Sequence, residues 1–213
     1  ELAARTATRV WKAYVPTGES DYLDRKGVAA HGVRFDPHGH GTLAIPMCDA
    51  YGNIHGLQII RGRNRGNKLE KQYFPKGLAK QGHYHLLGGF PTCILLVTEG
   101  YATGASVYQA TQLPVAVAFD AGNLMPVALA LYKTYPRAKI LICADDDHLT
   151  VGNPGLTAAS AAALAVNGAW VAPRFAIDCT DSKITDFNDL HTLEGLHAVR
   201  SQIEARLREL KWQ

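Results

Sequence analysis

The chain is expected to fold as an α/β protein, with a parallel sheet flanked by helices and a smaller α+β subdomain before it. Three observations carry this expectation. In the second half, apolar runs end abruptly in acid: Leu95-Leu96-Val97-Thr98-Glu99 and Ile140-Leu141-Ile142-Cys143-Ala144-Asp145-Asp146-Asp147. Runs without polar alternation read as strands buried on both faces. Helix-forming stretches separate them, as βαβ crossovers require. The first half instead carries short strand-like segments around turn residues such as Asp49-Ala50-Tyr51-Gly52-Asn53, which is a meander signature.

Taken in order, residues 1–31 read as helical and then loop-like, with Ala3, Val10 and Trp11 as a loose apolar stripe. Asp21 to Gly27 forms a second short helix that Gly27 ends. Residues 32–90 form a β-rich unit. Gly32-Val33-Arg34-Phe35 leads into the turn Asp36-Pro37-His38-Gly39. Strands follow at 42–47 and 54–60, and then a basic run reaching Tyr73-Phe74. Further on, strands are expected at 93–98, 115–119, 139–144 and 169–173. Helices fall between them at 101–112, 123–134 and 156–167. The last of these is rich in alanine, a strong helix former, and Gly168 stops it. Residues 190–211 read as a closing amphipathic helix with Leu196, Val199, Ile203, Leu207 and Leu210 on one face. The expected division is 1–90 for the N-terminal basic subdomain, 91–190 for the parallel-sheet domain and 191–213 for a helix packing on it.

With 213 residues the chain can form one large domain or two small ones. Its composition, 47% hydrophobic and 19% charged, excludes disordered and collagen-like classes. No apolar run approaches the ~20 residues of a membrane span, so no membrane partner is expected. No charged-then-apolar leader is visible. A start at Glu1 rather than Met leads us to expect a piece of a longer protein. Cys48, Cys93, Cys143 and Cys179 are scattered without a CxxC pair, which argues against a zinc ribbon here. Cys93 and Cys143 read as small core residues, and the expected setting is a reducing cytoplasm.

Chemistry concentrates at the acids. In open parallel sheets, ligands bind beyond the carboxyl ends of the strands. Glu99 and the Asp145/Asp147 pair both occupy such ends. Residues two apart on an extended segment face the same side, so Asp145 and Asp147 point one way and Asp146 the other. Three carboxylates at one edge repel unless a cation holds them, and hard oxygen ligands select Mg²⁺ or Mn²⁺. Read alone, Glu99 is equally an acid favouring a helix start. Asp189 is equally the N-cap of the last helix, and Asp186 or Asp189 is otherwise a further metal or water ligand.

The net charge of +3 is unevenly spread: residues 61–80 hold seven cations (Arg61, Arg63, Arg65, Lys68, Lys71, Lys76, Lys80) against Glu70 alone. A solvated loop explains such a run. The adjacent Tyr73 and Phe74 favour phosphate contact with base stacking, with Arg61 and Lys71 as leading contacts and Arg63, Tyr73 and Lys80 beside them. His38, His40, His83 and His85 read as surface or hydrogen-bonded residues; His148 is the one expected near the metals. No P-loop, and no GxGxxG after a strand, is present.

These residues resemble a known family. Glu99-Gly100-Tyr101-Ala102-Thr103-Gly104 resembles the EGYATA motif of plasmid- and phage-encoded primases, with Gly104 where that motif has Ala. Glu99 followed by Asp145-x-Asp147 resembles the Toprim domain shared by bacterial-type primases, topoisomerases, nucleases and recombination-repair proteins. Asp186-Phe187-Asn188-Asp189-Leu190 is similar to the closing motif of the mobile-element primases. Leu43-Ala44-Ile45-Pro46, Gly52 to Gln58 and Lys71-Gln72-Tyr73-Phe74 resemble the amino-terminal half of the bacterial primase core. The likeness spans about residues 20–195.

The resemblance implies a Toprim-like sheet and a DNA primase core. Such a core makes short primers on single-stranded DNA from nucleoside triphosphates. It implies Mg²⁺ or Mn²⁺ at Asp145 and Asp147, with Asp189 as a further ligand. Glu99 is then a ligand or general acid/base, and Arg61 and Lys71 grip phosphate. The implied partners are the template, the triphosphates, and a zinc-binding domain, helicase or other replication domain outside this segment. Alternatives are a Toprim nuclease, a non-catalytic DNA-binding Toprim module, and a domain binding a phosphorylated metabolite.

Overall fold

Turn chemistry and apolar patterning divide the chain into two units, Glu1–His85 and Leu86–Gln213. The computed structural model describes residues 1–39, 41–61, 70–176 and 184–212. His40, Arg63, Arg65, Lys68, Cys179 and Lys183 lie outside the described residues.

In the first unit, α1 (Leu2–Ala13) and α2 (Asp21–Lys26) precede an antiparallel sheet. Gly27 ends α2 in the left-handed conformation, φ 61°, which glycine adopts without a Cβ penalty. The sheet order is β1 (Arg34–Phe35), β2 (Leu43–Cys48), β3 (Ile54–Arg61), β4 (Glu70–Phe74). The β2–β3 turn is built by Asp49, whose Oδ1 accepts the amides of Tyr51 and Asn53. α1 lays Ala7, Val10 and Trp11 on Ala44, Leu57 and Ile59. Arg34 donates to the carbonyls of Trp11 and Tyr14 and closes the end of α1.

β4 was not foreseen. Glu70-Lys71-Gln72-Tyr73-Phe74 lacks an apolar run, yet it pairs with β3 from Leu57↔Phe74 to Arg61↔Glu70. At the sheet margin its residues are exposed or half-buried, so polar side chains cost little there. Part of the basic run is therefore strand and not solvated loop.

The second unit contains β6 (Ile94–Thr98), α3 (Tyr101–Thr111), β7 (Val115–Val117), α4 (Ala121–Thr134), β8 (Lys139–Cys143), α5 (Pro154–Ala165) and β9 (Ala169–Val171). With β5 (His85–Leu87) these strands form a sheet of order β5-β7-β6-β8-β9. β6 is parallel to both β7 and β8, and β8 to β9. The central strands β6, β7 and β8 are buried except at Ile94 and Lys139, where β6 and β8 begin, as a sheet covered on both faces demands. The chain steps from β6 to β7, then crosses back past β6 to β8. Right-handed crossovers in opposite directions put α3 and α4 on opposite faces. α3 packs with α6 (Phe187–Glu194) and α7 (Leu196–Glu209), and α4 packs with α5. α3 lies tightly on the sheet: a Cβ on Gly104 would meet Val117 Cγ2 at 2.7 Å and Thr98 Oγ1 at 2.8 Å.

Two expectations need correction. The closing helix expected at 190–211 is two helices, because Gly195 at φ 85° breaks it and α6 already starts at Phe187. Cys93 is exposed, since β6 begins one residue later; Cys143 is buried as expected.

α7 runs beside the segment leaving β9. Gln202 Oε1 accepts the Arg174 amide at 2.9 Å, and its Nε2 donates to the Arg174 carbonyl at 2.6 Å. Arg206 Nε donates to the Trp170 carbonyl, and Glu194 accepts the Ala176 amide. Among the described residues, no helix is long and apolar enough to cross a membrane.

Candidate functional site

The chain order β6-α3-β7-α4-β8 reverses at β6, and such a switch point opens a crevice beyond the strand ends. Every strand around it delivers an acid. Glu99 follows β6 directly and precedes Gly100, the N-cap of α3. Asp120 follows β7 and caps α4 by accepting the Asn123 amide. Asp145, Asp146 and Asp147 follow β8. Asp186 caps α6, and Asp189 lies three residues into it.

The Asp146 amide donates to the Thr185 carbonyl at 2.8 Å, which ties the loop after β8 to the entry of α6. Asp186 Oδ1 accepts the amides of Asn188 and Asp189, and its Oδ2 accepts the Thr103 hydroxyl at 3.0 Å. Asp189 Oδ2 accepts the amides of Thr185 and Asp186. The pair is a reciprocal capping box. The cap is therefore Asp186, and Asp189 is its partner, not the cap itself. Behind it, Asn188 Nδ2 donates to Ser106 Oγ, which also bonds His191 Nδ1 at 3.0 Å.

Electrostatics shows which acids meet. Burial first, then the carboxylates of Asp186, Glu99, Asp147 and Asp189, push the Asp145 carboxyl up to about 9. Burial also raises Glu99, helped by Asp147, Asp120 and Asp186 and opposed by a hydrogen bond from the Ala121 amide. Glu99, Asp145 and Asp147 thus feel one another's charge. None of them forms an ion pair with a described Lys, Arg or His. Asp145 Oδ1 is fully buried without a hydrogen-bond partner, an arrangement that costs free energy unless a counter-charge arrives. Among the described residues, no three His, Cys, Asp or Glu side chains form a ready-made metal cage. An all-oxygen set with one orphaned buried carboxyl oxygen nevertheless fits a hard divalent cation.

Asp146 has a partner of its own: its Oδ1 accepts from Asn153 Nδ2 at 2.6 Å. His148 Nδ1 bonds the Asp146 carbonyl, so it keeps company with Asp146 and not with the buried acids. Asp120 was missed in the sequence. Its signal was available, since Val115 to Phe119 is another apolar run that ends in acid.

In the first unit, Arg61 Nη1 pairs with Glu70 at 3.1 Å. Lys71 Nζ sits over the Tyr22 ring at 5.3 Å, and Lys80 Nζ over the Tyr73 ring at 4.9 Å.

Residues 94–197 match the Toprim domain. The chain is 38% identical over 186 residues to a DNA primase TraC of Escherichia coli, covering 83% of this chain and 17% of that protein. It therefore spans about a sixth of that relative's length. By fold it is similar to the primase fragment of the bacteriophage T7 primase-helicase: TM-score 0.56, 16% identity, covering 89% of this chain and 74% of that one. It is also similar to a DnaG primase catalytic domain solved with single-stranded DNA: TM-score 0.52, 17% identity, covering 95% and 71%.

Proposed function

From the match of residues 94–197 to the Toprim domain, we propose that the chain is the catalytic core of a DNA primase. The reaction is metal-dependent nucleotidyl transfer on a single-stranded DNA template. The observation that carries this reading is Asp145, a buried carboxyl with an orphaned oxygen, ringed by Glu99, Asp147, Asp186 and Asp189. In the metal-free protein a proton relieves that arrangement, and a divalent cation would replace it.

Asp145 and Asp147 hold Mg²⁺ or Mn²⁺, and Glu99 is a third ligand or the group that moves the proton. Asp189, engaged in the capping box through Oδ2, is a further ligand only through its other oxygen. When bound, the metal supplies Lewis-acid stabilisation of the triphosphate and lowers the pKa of the attacking hydroxyl. Glu99, whose carboxyl burial and the neighbouring acids hold above the usual carboxylate range, would be the group that accepts that hydroxyl's proton. The new P–O bond forms at the α-phosphorus of the incoming nucleotide, the α–β bond breaks, and pyrophosphate leaves. Arg61, Arg63, Lys71 and Lys80 meet template or nucleotide phosphate, and Tyr73 stacks on a base. A zinc-binding domain or helicase acting with this segment would supply template choice, in a reducing cytoplasm.

The test is incubation with single-stranded DNA, labelled nucleoside triphosphates and Mg²⁺ or Mn²⁺. New oligomers are expected. Asp147→Asn should reduce their yield at least ~100-fold while the far-ultraviolet circular dichroism stays unchanged. A shortened template would mean a nuclease, and salt-dependent binding without turnover a binding module.

A further inference from the structure

The three consecutive acids after β8 have three different surroundings. Asp145 is buried among other carboxylates. Asp146 is held by Asn153, whose Nδ2 reaches its Oδ1 at 2.6 Å. Asp147 Oδ2 accepts the Gly155 amide at 3.0 Å. One short turn makes both of the latter contacts. Thr150 N donates to the Asp147 carbonyl and Asn153 N to the Thr150 carbonyl. Asn153 stands at φ 40°, in the left-handed region that asparagine tolerates better than most residues. Its Oδ1 also accepts the Leu156 amide and caps α5. Gly155 leaves no room for anything larger: a Cβ there would stand 2.6 Å from the Asp145 carbonyl oxygen, 2.9 Å from Asp147 Oδ2 and 3.1 Å from Asp145 Cβ.

A plain helix start needs a cap and a tolerant second residue. It does not need a cap side chain that reaches back seven residues to a second acid, nor a backbone pressed onto two more. We propose that Asn153 and Gly155 are positioning residues that sort the acid triplet: Asn153 draws Asp146 off the shared face, and Gly155 fixes one oxygen of Asp147. Asp145 and the other oxygen of Asp147 are left to a divalent cation. Neither residue touches substrate. The inference rests on the reading of Asp145 and Asp147 as cation ligands. Groups that orient ligands in this way typically matter about 10–100-fold in metal affinity.

The experiment measures Mn²⁺ affinity of the full chain by electron paramagnetic resonance of the free ion, alongside thermal melts. Asn153→Ala should weaken Mn²⁺ binding ~10-fold. Made on an Asp146→Ala background it should weaken binding no further, because the contact is already gone. Gly155→Ala should lose more, ~100-fold; if it fails to fold, the two alanine variants decide alone. Asp147→Asn is the control. Wild-type Mn²⁺ binding in that control would remove the ligand reading itself. If the control loses Mn²⁺ but Asn153→Ala binds normally, or loses equally in both backgrounds, the positioning role is overturned. A lower melting temperature with unchanged affinity would likewise overturn it.

Discussion

In the antiparallel sheet of the first unit, charge is satisfied next to where it sits: Arg61 faces Glu70, Lys71 lies over Tyr22, and Lys80 over Tyr73. In the parallel sheet of the second, Glu99, Asp145 and Asp147 gather at the strand ends with no described cation beside them. The first arrangement keeps its cations at the surface, where a polyanion can exchange for local partners at little cost. The second stores repulsion, which a divalent ion releases. A charge cluster that lowers stability in the metal-free protein points to a ligand more strongly than one already paired.

The largest effect that could break this contrast is the pH dependence of metal-free stability. Asp145 and Glu99 have folded-state pKa values above their unfolded ones, so the native protein holds protons that the unfolded chain has released. Stability must then fall as pH rises from the ordinary carboxylate range toward about 9, the Asp145 value. Each pH unit in that window costs up to about 1.4 kcal/mol per such group. Urea melts of chelator-treated protein between pH 5 and pH 9 measure it (~4 units of window), and Asp145→Asn should flatten the slope. Unfolding that stays independent of pH would deny the stored repulsion.

Next in size is Gly104→Ala, which forces a methyl group against Val117 and Thr98. It should cost ~1–3 kcal/mol, and Val117→Ala made with it should recover part of that loss. Failure of the rescue would place the strain elsewhere.

Smaller still, Lys71→Ala should reduce the salt slope of single-stranded DNA affinity by about 0.7. Its stability cost, from the lost contact with Tyr22, should be ~0.5–1 kcal/mol. Smallest is Glu70→Gln. Its exposed pair with Arg61 predicts less than ~1 kcal/mol in a denaturant melt; a larger loss would mean that this edge of the sheet depends on charge after all.

The second unit was legible because its central strands are buried: Leu95 to Val97 and Ile140 to Ile142 admit nothing polar, so the pattern survives in composition. The acids at their ends stood out for the same reason. β4 was hidden because a marginal strand tolerates Glu70, Lys71 and Gln72. The break at Gly195 was hidden because the apolar stripe continues across it, from Leu190 to Val199. Asp186 and Asp189 were both noticed, but their reciprocal roles depend on amide directions that only the fold fixes. Asp120 was overlooked because one acid after a short run is ordinary, and only the strand order brings it toward Glu99.

Gln202 behaves toward Arg174 as a neighbouring strand would, offering one donor and one acceptor to the same residue's backbone. With Arg206 on Trp170 and Glu194 on Ala176, helical side chains engage one carbonyl of β9 and the backbone of the segment that follows it. An extended peptide pairing there would have to displace these side chains from the backbone of Arg174 and Ala176.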